Sequence, residues 1–165
     1  MATFDPAHDI PDLNGKVILL TGGTAGLGLE TLLTVAAHGP SKLFFTGRNS
    51  QAAETTITQL KQTAPNVAVK FLRCDHASLA SVQQAARSVL AETQRLDIVF
   101  CVAGIMALPP GLTEDGYEVC PCRAPPFATQ ALCILRYLPR SHYLRHRPSD
   151  CALLLSAAPI SRYRY

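Results

Sequence analysis

The sequence predicts an α/β domain with a doubly wound parallel sheet, and three observations support this fold class. Short apolar runs of strand length alternate with longer segments that have helical periodicity. A glycine-rich loop lies directly between the first such strand and the first helix. No internal repeat or low-complexity tract interrupts the alternation. Strands joined by helices imply right-handed crossovers, with ligand sites at the carboxyl ends of the strands.

The predicted strands are short apolar runs bounded by turn residues. KVILLTGG, at 16–23, has the composition of a strand buried on both faces of a parallel sheet. The other strands are predicted at 42–47, 67–75 and 96–104. We expect the carboxylates of Glu92 and Asp97, which flank the start of the fourth strand, to remain in water.

Amphipathic helices are predicted between these strands. The first begins near Leu27 and ends at the Gly39–Pro40 pair, the second covers Ala52 to Thr63, and the third covers Ser78 to Thr93 with Ser78 as its cap. The apolar faces expected to meet the sheet are Leu29, Leu32, Leu33, Ala36 and Ala37 in the first helix and Leu79, Val82, Ala86, Val89 and Leu90 in the third.

The length and composition fit one soluble globular domain. The chain has 165 residues, of which 48% are hydrophobic and 16% charged, which excludes a disordered or fibrous protein. The N-terminus is polar and acidic, and no stretch approaches about 18 consecutive apolar residues. We therefore expect a cytoplasmic protein with no membrane partner. The six cysteines should then be reduced thiols without disulfides.

The glycine-rich loop TGGTAGLG, at 21–28, lies where the pyrophosphate of a dinucleotide would sit. Gly22 permits a tight turn, Gly26 lets the backbone approach a phosphate, and Gly28 allows close packing of the helix. The helix N-terminus adds free N–H groups and positive potential. The spacing is G-x-x-x-G-x-G rather than G-x-G-x-x-G, and packing alone is the alternative role. The order of strand, loop and helix favours nucleotide binding.

Together with GRN at 47–49, Asp75, VAG at 102–104 and TEDGYE at 113–118, this loop resembles the short-chain dehydrogenase/reductase family from about Leu13 to Val119. The resemblance implies a Rossmann-type doubly wound sheet, incomplete here at its C-terminal side. It also implies that the loop lines the pyrophosphate, that Asp75 contacts the adenine and that VAG adjoins the nicotinamide ribose. The implied cofactor-binding residues are Thr21, Gly22, Thr24, Gly26, Leu27, Gly28, Asp75, Ala103 and Gly104.

The end of the second strand favours NADP(H) over NAD. An NAD site usually has Asp or Glu there to accept a hydrogen bond from the ribose 2′-OH. This chain reads Thr46-Gly47-Arg48 instead. The guanidinium of Arg48 can pair with a 2′-phosphate and stack on the adenine. The alternative is that Arg48 is an ordinary solvated loop residue.

The chain departs from the family pattern in two places. Cys101 and Val102 stand where the family often has two asparagines, so backbone contacts are kept while side-chain amide hydrogen bonds are lost. The family also uses a serine, a tyrosine and a lysine four residues after the tyrosine. Ser156, in a possible fifth strand at 151–158, lies near the position of the catalytic serine, with Ala157 as the alternative register. The last lysine is Lys70, so Tyr-x-x-x-Lys is absent from these 165 residues.

The composition changes after Val119, which divides the chain into an NADP-binding Rossmann portion, 1–119, and a Cys/Pro/Arg-rich continuation, 120–165. Residues 1–119 carry 8 basic and 11 acidic side chains, whereas 120–165 carry seven arginines and Asp150. We interpret the continuation as another reading frame or a retained intron, with a genuine divergent tail as the alternative. Its arginines lack helical spacing and a nucleic-acid motif, so we expect no nucleic-acid partner.

A zinc site is an alternative interpretation of the same tail. Structural zinc sites usually show paired C-x-x-C or C-x-x-x-x-C knuckles at regular separations. The tail has C-x-C with a proline inside it, followed by scattered ligands, so we expect no metal. The residues concerned are Cys120, Cys122, Cys133, Cys151, His142 and His146.

Two functions follow from these observations. The first is an NADP(H)-dependent oxidoreductase that transfers hydride between the cofactor and a carbonyl or alcohol of a small hydrophobic molecule, in secondary metabolism by family resemblance. The second is an NADP(H)-binding remnant without turnover, because the tyrosine and lysine partners are absent, or a non-functional truncated product. A homo-oligomer is expected for the full-length family but not for this form, which lacks the strand and helix units of the dimer contact.

Overall fold

The computed structural model describes residues 4–105 and 111–117 and the backbone of 153–154. The helices are α1 Pro6–Asp9, α2 Gly26–Ala37, α3 Ser50–Thr63 and α4 Leu79–Glu92. The strands are β1 Val17–Thr21, β2 Lys42–Gly47, β3 Ala68–Arg73, β4 Ile98–Cys101 and β5 Leu153–Leu154. The sequence does not predict α1, which is a single turn capped by the carboxylate of Asp5.

All five strands form one parallel sheet in the order β3-β2-β1-β4-β5. The chain moves outward from β1 to β3, and α4 then carries it back to β4 on the other side of β1. Helices α2 and α3 pack on one face and α4 on the other. Right-handed crossovers place the helices on opposite faces of the sheet when the chain adds strands first on one side of β1 and then on the other. The predicted doubly wound, Rossmann-type fold is therefore confirmed.

The central strand β1 is buried on both faces, as its apolar composition predicts. Ile18 and Leu20 pack with α2 and α3, whereas Val17 and Leu19 pack with α4, because successive side chains point to opposite faces of a sheet. All five residues of β1 are buried. This strand is the part of the core that both helical layers share.

Strand β5 pairs in parallel with β4, with Val99 opposite Leu153 and Phe100 opposite Leu154. It lies within the predicted range 151–158, and the rest of that range lies outside the described residues. Among the helices of residues 4–105, none has the length and hydropathy needed to cross a bilayer.

Helix α3 begins at Ser50, two residues before the predicted start at Ala52. The side chain of Asn49 explains the difference, since its Oδ1 accepts from the N–H groups of Gln51 and Ala52 at 2.9 and 3.2 Å. Asparagine is a favoured N-cap because it pairs donors that have no partner within the helix. The signal was present in the sequence as Asn49, two residues after the end of the second strand.

The buried face of α2 differs from the prediction by one position. Leu32 and Ala36 are buried as expected, but Ala37 is exposed and Val35 is buried in its place. Val35 lies three residues after Leu32, which puts the two side chains on the same helical face. The prediction of Ala37 as a core residue is therefore wrong.

Helix α4 has Ser78 at its N-cap, as predicted, but the side chain of Ser78 makes no capping hydrogen bond. The carboxylate of Asp115 supplies one instead, with Oδ2 accepting from the N–H of Leu79 at 2.7 Å. A negative charge at this end of a helix is favourable because the N-terminus carries positive potential. Asp115, in the described part of the TEDGYE segment, thus contacts the start of α4.

The expectation that Asp97 stays in water is wrong. Its side chain is 6% exposed, and Oδ2 accepts from the N–H of Val17 at 2.7 Å and lies 3.2 Å from Nε of Arg95. A buried carboxylate requires such partners, because its desolvation is costly. The guanidinium of Arg95 also donates to the carbonyl of Gly15. These bonds join the start of β4 to the start of the central strand.

Glu92 is exposed, as expected, and it also forms two ion pairs. Its side chain is 28% exposed, and its two oxygens contact the ammonium groups of Lys42 and Lys70, at 2.6 Å in the case of Lys42. The two lysines lie on the neighbouring strands β2 and β3. The C-terminal end of α4 is therefore paired with the two strands beneath it.

We expect Asp97→Ala to lower the free energy of unfolding by about 2 kcal/mol, because the buried N–H of Val17 loses its acceptor. Urea unfolding measured side by side for the two proteins checks this. Asp12→Ala is the matched control, since Asp12 is exposed and accepts only locally from Asn14, and it should change stability by no more than about 0.5 kcal/mol. Equal effects of the two substitutions would contradict the role assigned to Asp97.

Candidate nucleotide-binding site

The candidate site lies at the carboxyl ends of β1, β2 and β4. Strand β1 has β2 on one side and β4 on the other, and the chain reverses its direction of winding at this point. In open α/β sheets, ligands bind in the crevice outside the strands at such a switch point. The glycine loop leaves β1 here and leads into α2.

Each of the three glycines in the predicted motif has a distinct physical reason to lack a side chain. Gly22 has φ +77°, and a Cβ there would lie 2.8 Å from Cα of Ala103. A Cβ at Gly28 would lie 2.0 Å from the carbonyl oxygen of Gly22. Gly26 has φ +55° with open space around it, so an approaching group meets backbone alone. The roles predicted for a tight turn, an open approach and close packing fit this geometry.

The start of the glycine loop is bound to the end of β2. The N–H groups of Gly22 and Gly23 donate to the carbonyl of Thr46 at 3.1 and 3.0 Å, and the hydroxyl of Thr46 lies 3.3 Å from the same N–H of Gly22. The side chain of Thr24 lies over Gly47, where an added Cβ would be 2.6 Å from Thr24 Cγ2. The absence of a side chain at Gly47 therefore makes room for Thr24.

Thr21 links the ends of β1 and β4. Its hydroxyl accepts from the N–H groups of Val102 and Ala103, both at 3.1 Å, and its side chain is buried. These bonds position the VAG turn against the loop, so that Ala103 lies beside Gly22. Backbone groups and Thr21 thus support the turn in which Cys101 and Val102 replace the amide side chains expected from the family.

The N-terminus of α2 faces the same crevice. The helix starts at Gly26, its N-cap residue Ala25 has no capping side chain, and its first turn contains no acidic residue. The first N–H groups of a helix have no partner within the helix and carry positive potential, which is the requirement for binding a phosphate. Leu27 on this turn is 77% exposed, which suits a side chain that a ligand would cover.

Arg48 and Asp75 follow the ends of β2 and β3, the strands on one side of the loop. Both are exposed. Asp75 Oδ1 accepts from the N–H of Ala77 at 2.9 Å, and the N–H of Asp75 donates to the hydroxyl of Ser81 at 2.9 Å. The next residue, His76, has Nε2 3.5 Å from the hydroxyl of Thr46. His76 therefore connects the loop after β3, where the adenine is predicted to bind, to Thr46, which binds the glycine loop.

Two of these residues, Thr46 and Ser81, were missed by the sequence analysis. Thr46 directly precedes Gly47 and Arg48. It is a polar residue in a largely apolar strand, which is the feature of the sequence that could have identified it, and the structure shows its side chain to be buried. Ser81 lies three residues after the predicted cap Ser78, in the first turn of α4. In the sequence this serine looks like any polar residue of a helix, because its contact with Asp75 exists only in the folded loop.

The two cysteines of the described residues, Cys74 and Cys101, are free thiols. Burial raises the pKa of Cys74 from 9.0 to about 11, the negative charge of Asp75 adds to this rise, and the hydrogen bond with Ser81 opposes it. Burial also raises the pKa of Cys101. A raised pKa keeps a thiol protonated near neutral pH, which excludes both as activated nucleophiles. In residues 4–105 and 111–117 no three potential metal ligands converge.

The structure describes most of the predicted site residues and leaves the others outside the described ranges. Thr21, Gly22, Thr24, Gly26, Leu27, Gly28, Ala103 and Gly104 come together at one end of the sheet, with Arg48 and Asp75 on the adjoining strand ends. Ser156 lies outside the described residues, as do the cysteines and histidines of the tail.

A family model described as short chain dehydrogenase matches residues 16–118. This range includes every strand from β1 to β4, the glycine loop and the TEDGYE segment. The chain belongs to the short-chain dehydrogenase family. The match ends next to Val119, where the composition changes.

Several known proteins are similar to the chain. An uncharacterized oxidoreductase of Schizosaccharomyces pombe is 41% identical over 112 residues, which cover 68% of this chain and 33% of that protein. Levodione reductase is 31% identical over 56% of this chain and 36% of its own, with a TM-score of 0.53. A xylitol dehydrogenase solved with NAD+ is 26% identical over 78% of this chain and 48% of its own, with a TM-score of 0.60.

The chain spans about a third of the length of the curated relatives that it matches, 33% for the first and 36% for the second. Membership of an oxidoreductase family and the fold are therefore established for the matched region, residues 16–118.

We expect Gly28→Ala to lower the free energy of unfolding by at least about 2 kcal/mol, because the added methyl group overlaps the carbonyl oxygen of Gly22 and the loop must move. Gly39→Ala is the control: unlike Gly28, Gly39 has a positive φ, and the space around it is open, so only backbone strain of about 1 kcal/mol is expected. Urea unfolding distinguishes the two. An effect of Gly28→Ala no larger than that of Gly39→Ala would contradict the close contact.

The raised pKa of Cys74 predicts a loss of stability at alkaline pH. The unfolded thiol ionises near its usual pKa of 9.0, whereas the folded thiol stays protonated until about 11. Its contribution to stability is therefore present below pH 9.0 and is lost as the pH rises towards 11. Urea unfolding across this pH range should show that the free energy of unfolding falls less in Cys74→Ala than in the parent. Val82→Ala, a change in the same apolar cluster without a thiol, should follow the parent.

Proposed function

We propose that residues 1–119 form the NADP(H)-binding portion of an NADP(H)-dependent short-chain dehydrogenase/reductase. The protein encoded by the complete gene would transfer hydride between the cofactor and a carbonyl or alcohol carbon of a small hydrophobic molecule. The proposal extends to a cytoplasmic location and to a substrate from secondary metabolism, as the family resemblance implies. It rests above all on the glycine loop at the switch point of the sheet.

Three features of the loop support dinucleotide binding. Gly26 presents bare backbone with open space beside it. The first turn of α2 adds N–H groups with positive potential and no competing carboxylate. The loop is bound to β2 through Thr46 and lies against the VAG turn, so its shape is set before a ligand arrives. A pyrophosphate would meet a preformed site and would order few groups on binding.

The choice of NADP(H) rests on Arg48. It follows the last residue of β2 and is exposed at the position where an NAD site usually carries a carboxylate. A guanidinium can form paired, charge-assisted hydrogen bonds with a 2′-phosphate. The xylitol dehydrogenase was solved with NAD+, so similarity of fold does not decide between the two cofactors. The residue at the strand end is the feature that separates them.

The residues of this chain would bind and orient the cofactor. The glycine loop and α2 would contact the pyrophosphate, Arg48 and Asp75 would contact the adenosine half, and Ala103 and Gly104 would adjoin the nicotinamide ribose. When bound, the nicotinamide supplies or accepts hydride at its C4 atom. Proton transfer to the substrate oxygen requires the family's tyrosine and lysine, and Ser156 is the residue proposed to orient that oxygen.

We infer a second candidate function, cofactor binding without turnover, for these 165 residues taken alone. The observation that favours it is the absence of any lysine after Lys70, which leaves no Tyr-x-x-x-Lys pair. A tyrosine without a neighbouring cation has a pKa near 10 and is a poor proton donor and acceptor at neutral pH. Arginine does not replace the lysine, because it is larger and places its charge differently.

The transcript tests which function the gene encodes. If the complementary DNA beyond the codon for Val119 encodes a strand with the family's serine and a Tyr-x-x-x-Lys pair in another frame or splice form, the enzyme is the product of the gene. If the transcript encodes CPCRAPPF and stops after Tyr165, the catalytic proposal fails and the binding function is what stays to be tested. NADPH oxidation across a panel of carbonyl compounds then decides whether this form has turnover.

We expect Arg48→Ala to weaken NADPH binding roughly tenfold or more while leaving NADH binding almost unchanged, because only NADPH carries the 2′-phosphate. Fluorescence titration with each reduced cofactor gives the two dissociation constants. Arg87→Ala is the matched control, since Arg87 is an exposed arginine of α4 away from the strand ends. Equal weakening of NADPH and NADH, or no weakening of either, would contradict a phosphate contact by Arg48.

A further inference from the structure

Asp75, the proposed adenine contact, has a fixed backbone although its side chain is exposed. Its carbonyl accepts from the N–H of Ser78 at 3.2 Å, and its Oδ1 accepts from the N–H of Ala77 at 2.9 Å. Its own N–H donates to the hydroxyl of Ser81 at 2.9 Å. The first two bonds form a local turn, whereas the third ties the residue to a helix that follows it.

The bond from Ser81 runs backward out of its helix. Ser81 is the third residue of α4, a position from which a side chain commonly reaches the N-cap. Here the N-cap Ser78 makes no side-chain bond, and the hydroxyl of Ser81 passes it to meet the N–H of Asp75, six residues earlier. The hydroxyl also forms a hydrogen bond with the buried thiol of Cys74. Ser81 therefore contacts both residues at the junction of β3 and the loop.

Helix α4, which carries Ser81, is held in place by the core and so fixes the position of the loop that contains Asp75. Val82, the next residue, is 1% exposed and packs in the cluster with Cys74, Leu72 and Val89. The first turn of α4 is further capped by Asp115. Movement of the Asp75 backbone relative to the sheet would break the hydrogen bond to Ser81, whose position the core sets. The orientation of the Asp75 carboxylate thus depends on the hydroxyl of Ser81.

We propose that Ser81 is a positioning residue for recognition of the nucleotide base, acting through Asp75. This inference rests on the proposed function, since it requires a bound dinucleotide. A carboxylate accepts from the exocyclic amino group of adenine and repels the carbonyl oxygen that hypoxanthine carries at the same place. Ser81 keeps the Asp75 carboxylate where it can make this distinction.

The experiment compares NADPH with its hypoxanthine analogue in the full 165-residue chain. Fluorescence titration of both gives a ratio of dissociation constants that reports only on the base, because the rest of the two molecules is identical. The parent should prefer the adenine form by about tenfold, as for a hydrogen bond to a charged group. In Ser81→Ala the preference should fall to about twofold or less, chiefly through weaker binding of NADPH.

Further variants separate positioning from stability. Ser88→Ala removes a hydroxyl from the same helix that donates to the carbonyl of Gln84 at 3.0 Å, and it should keep the parent ratio. Ser81→Thr retains the hydroxyl and should restore the preference. Ser81→Cys preserves the shape with a weaker acceptor and should give an intermediate ratio, which keeps the test open if Ser81→Ala does not fold.

A double-mutant cycle tests the route through Asp75. Asp75→Ala should abolish the preference by itself, and adding Ser81→Ala should then change the ratio no further. An unchanged ratio in Ser81→Ala and Ser81→Cys, or an additive effect in the double variant, overturns the inference. A parent that binds NADPH without preferring adenine overturns it too and leaves the proposed function intact. A parent that binds neither dinucleotide refutes the proposed function, and this inference with it.

Discussion

The close contact between Gly28 and the carbonyl of Gly22 is the constraint on which the site depends. A single methyl group at Gly28 would lie 2.0 Å from that oxygen, so the first turn of α2 can approach the end of β1 only without a side chain. This approach directs the N-terminus of α2 into the crevice between β1 and β4. The glycine loop is thereby a packing device, and in the proposed function it is also the phosphate site.

Two threonines extend this constraint to the neighbouring strands. Thr46 binds the loop to β2 through its carbonyl and hydroxyl, and Thr21 binds the VAG turn to β1. Because the loop, the strand end that carries Arg48 and the turn that carries Ala103 are joined in this way, the parts that would meet the two halves of a dinucleotide keep a fixed separation. Such preorganisation reduces the entropy lost on binding.

The sequence predicts the structure of residues 16–118 well where the sequence pattern is local. Alternating strands and helices, the glycine spacing and the stop at Gly39–Pro40 all appear within short windows. The features that were missed depend on contacts distant along the chain. Asp97 is buried because it meets Val17, which is 80 residues earlier, and α4 is capped by Asp115, which is 36 residues after Leu79. Periodicity cannot reveal such pairs, since each residue reads as an ordinary exposed carboxylate.

The part of the chain that matches the family runs from residue 16 to residue 118, and it contains all the residues of the proposed cofactor site. The most direct measurement is a fluorescence titration of NADPH with the 165-residue chain beside a Gly26→Asp variant, which changes a position with open space around it. We expect a saturable change for the parent and none for the variant, whose carboxylate would repel the pyrophosphate. No saturable change in the folded parent up to about 1 mM cofactor, a concentration that detects even weak binding, would contradict the proposed cofactor site.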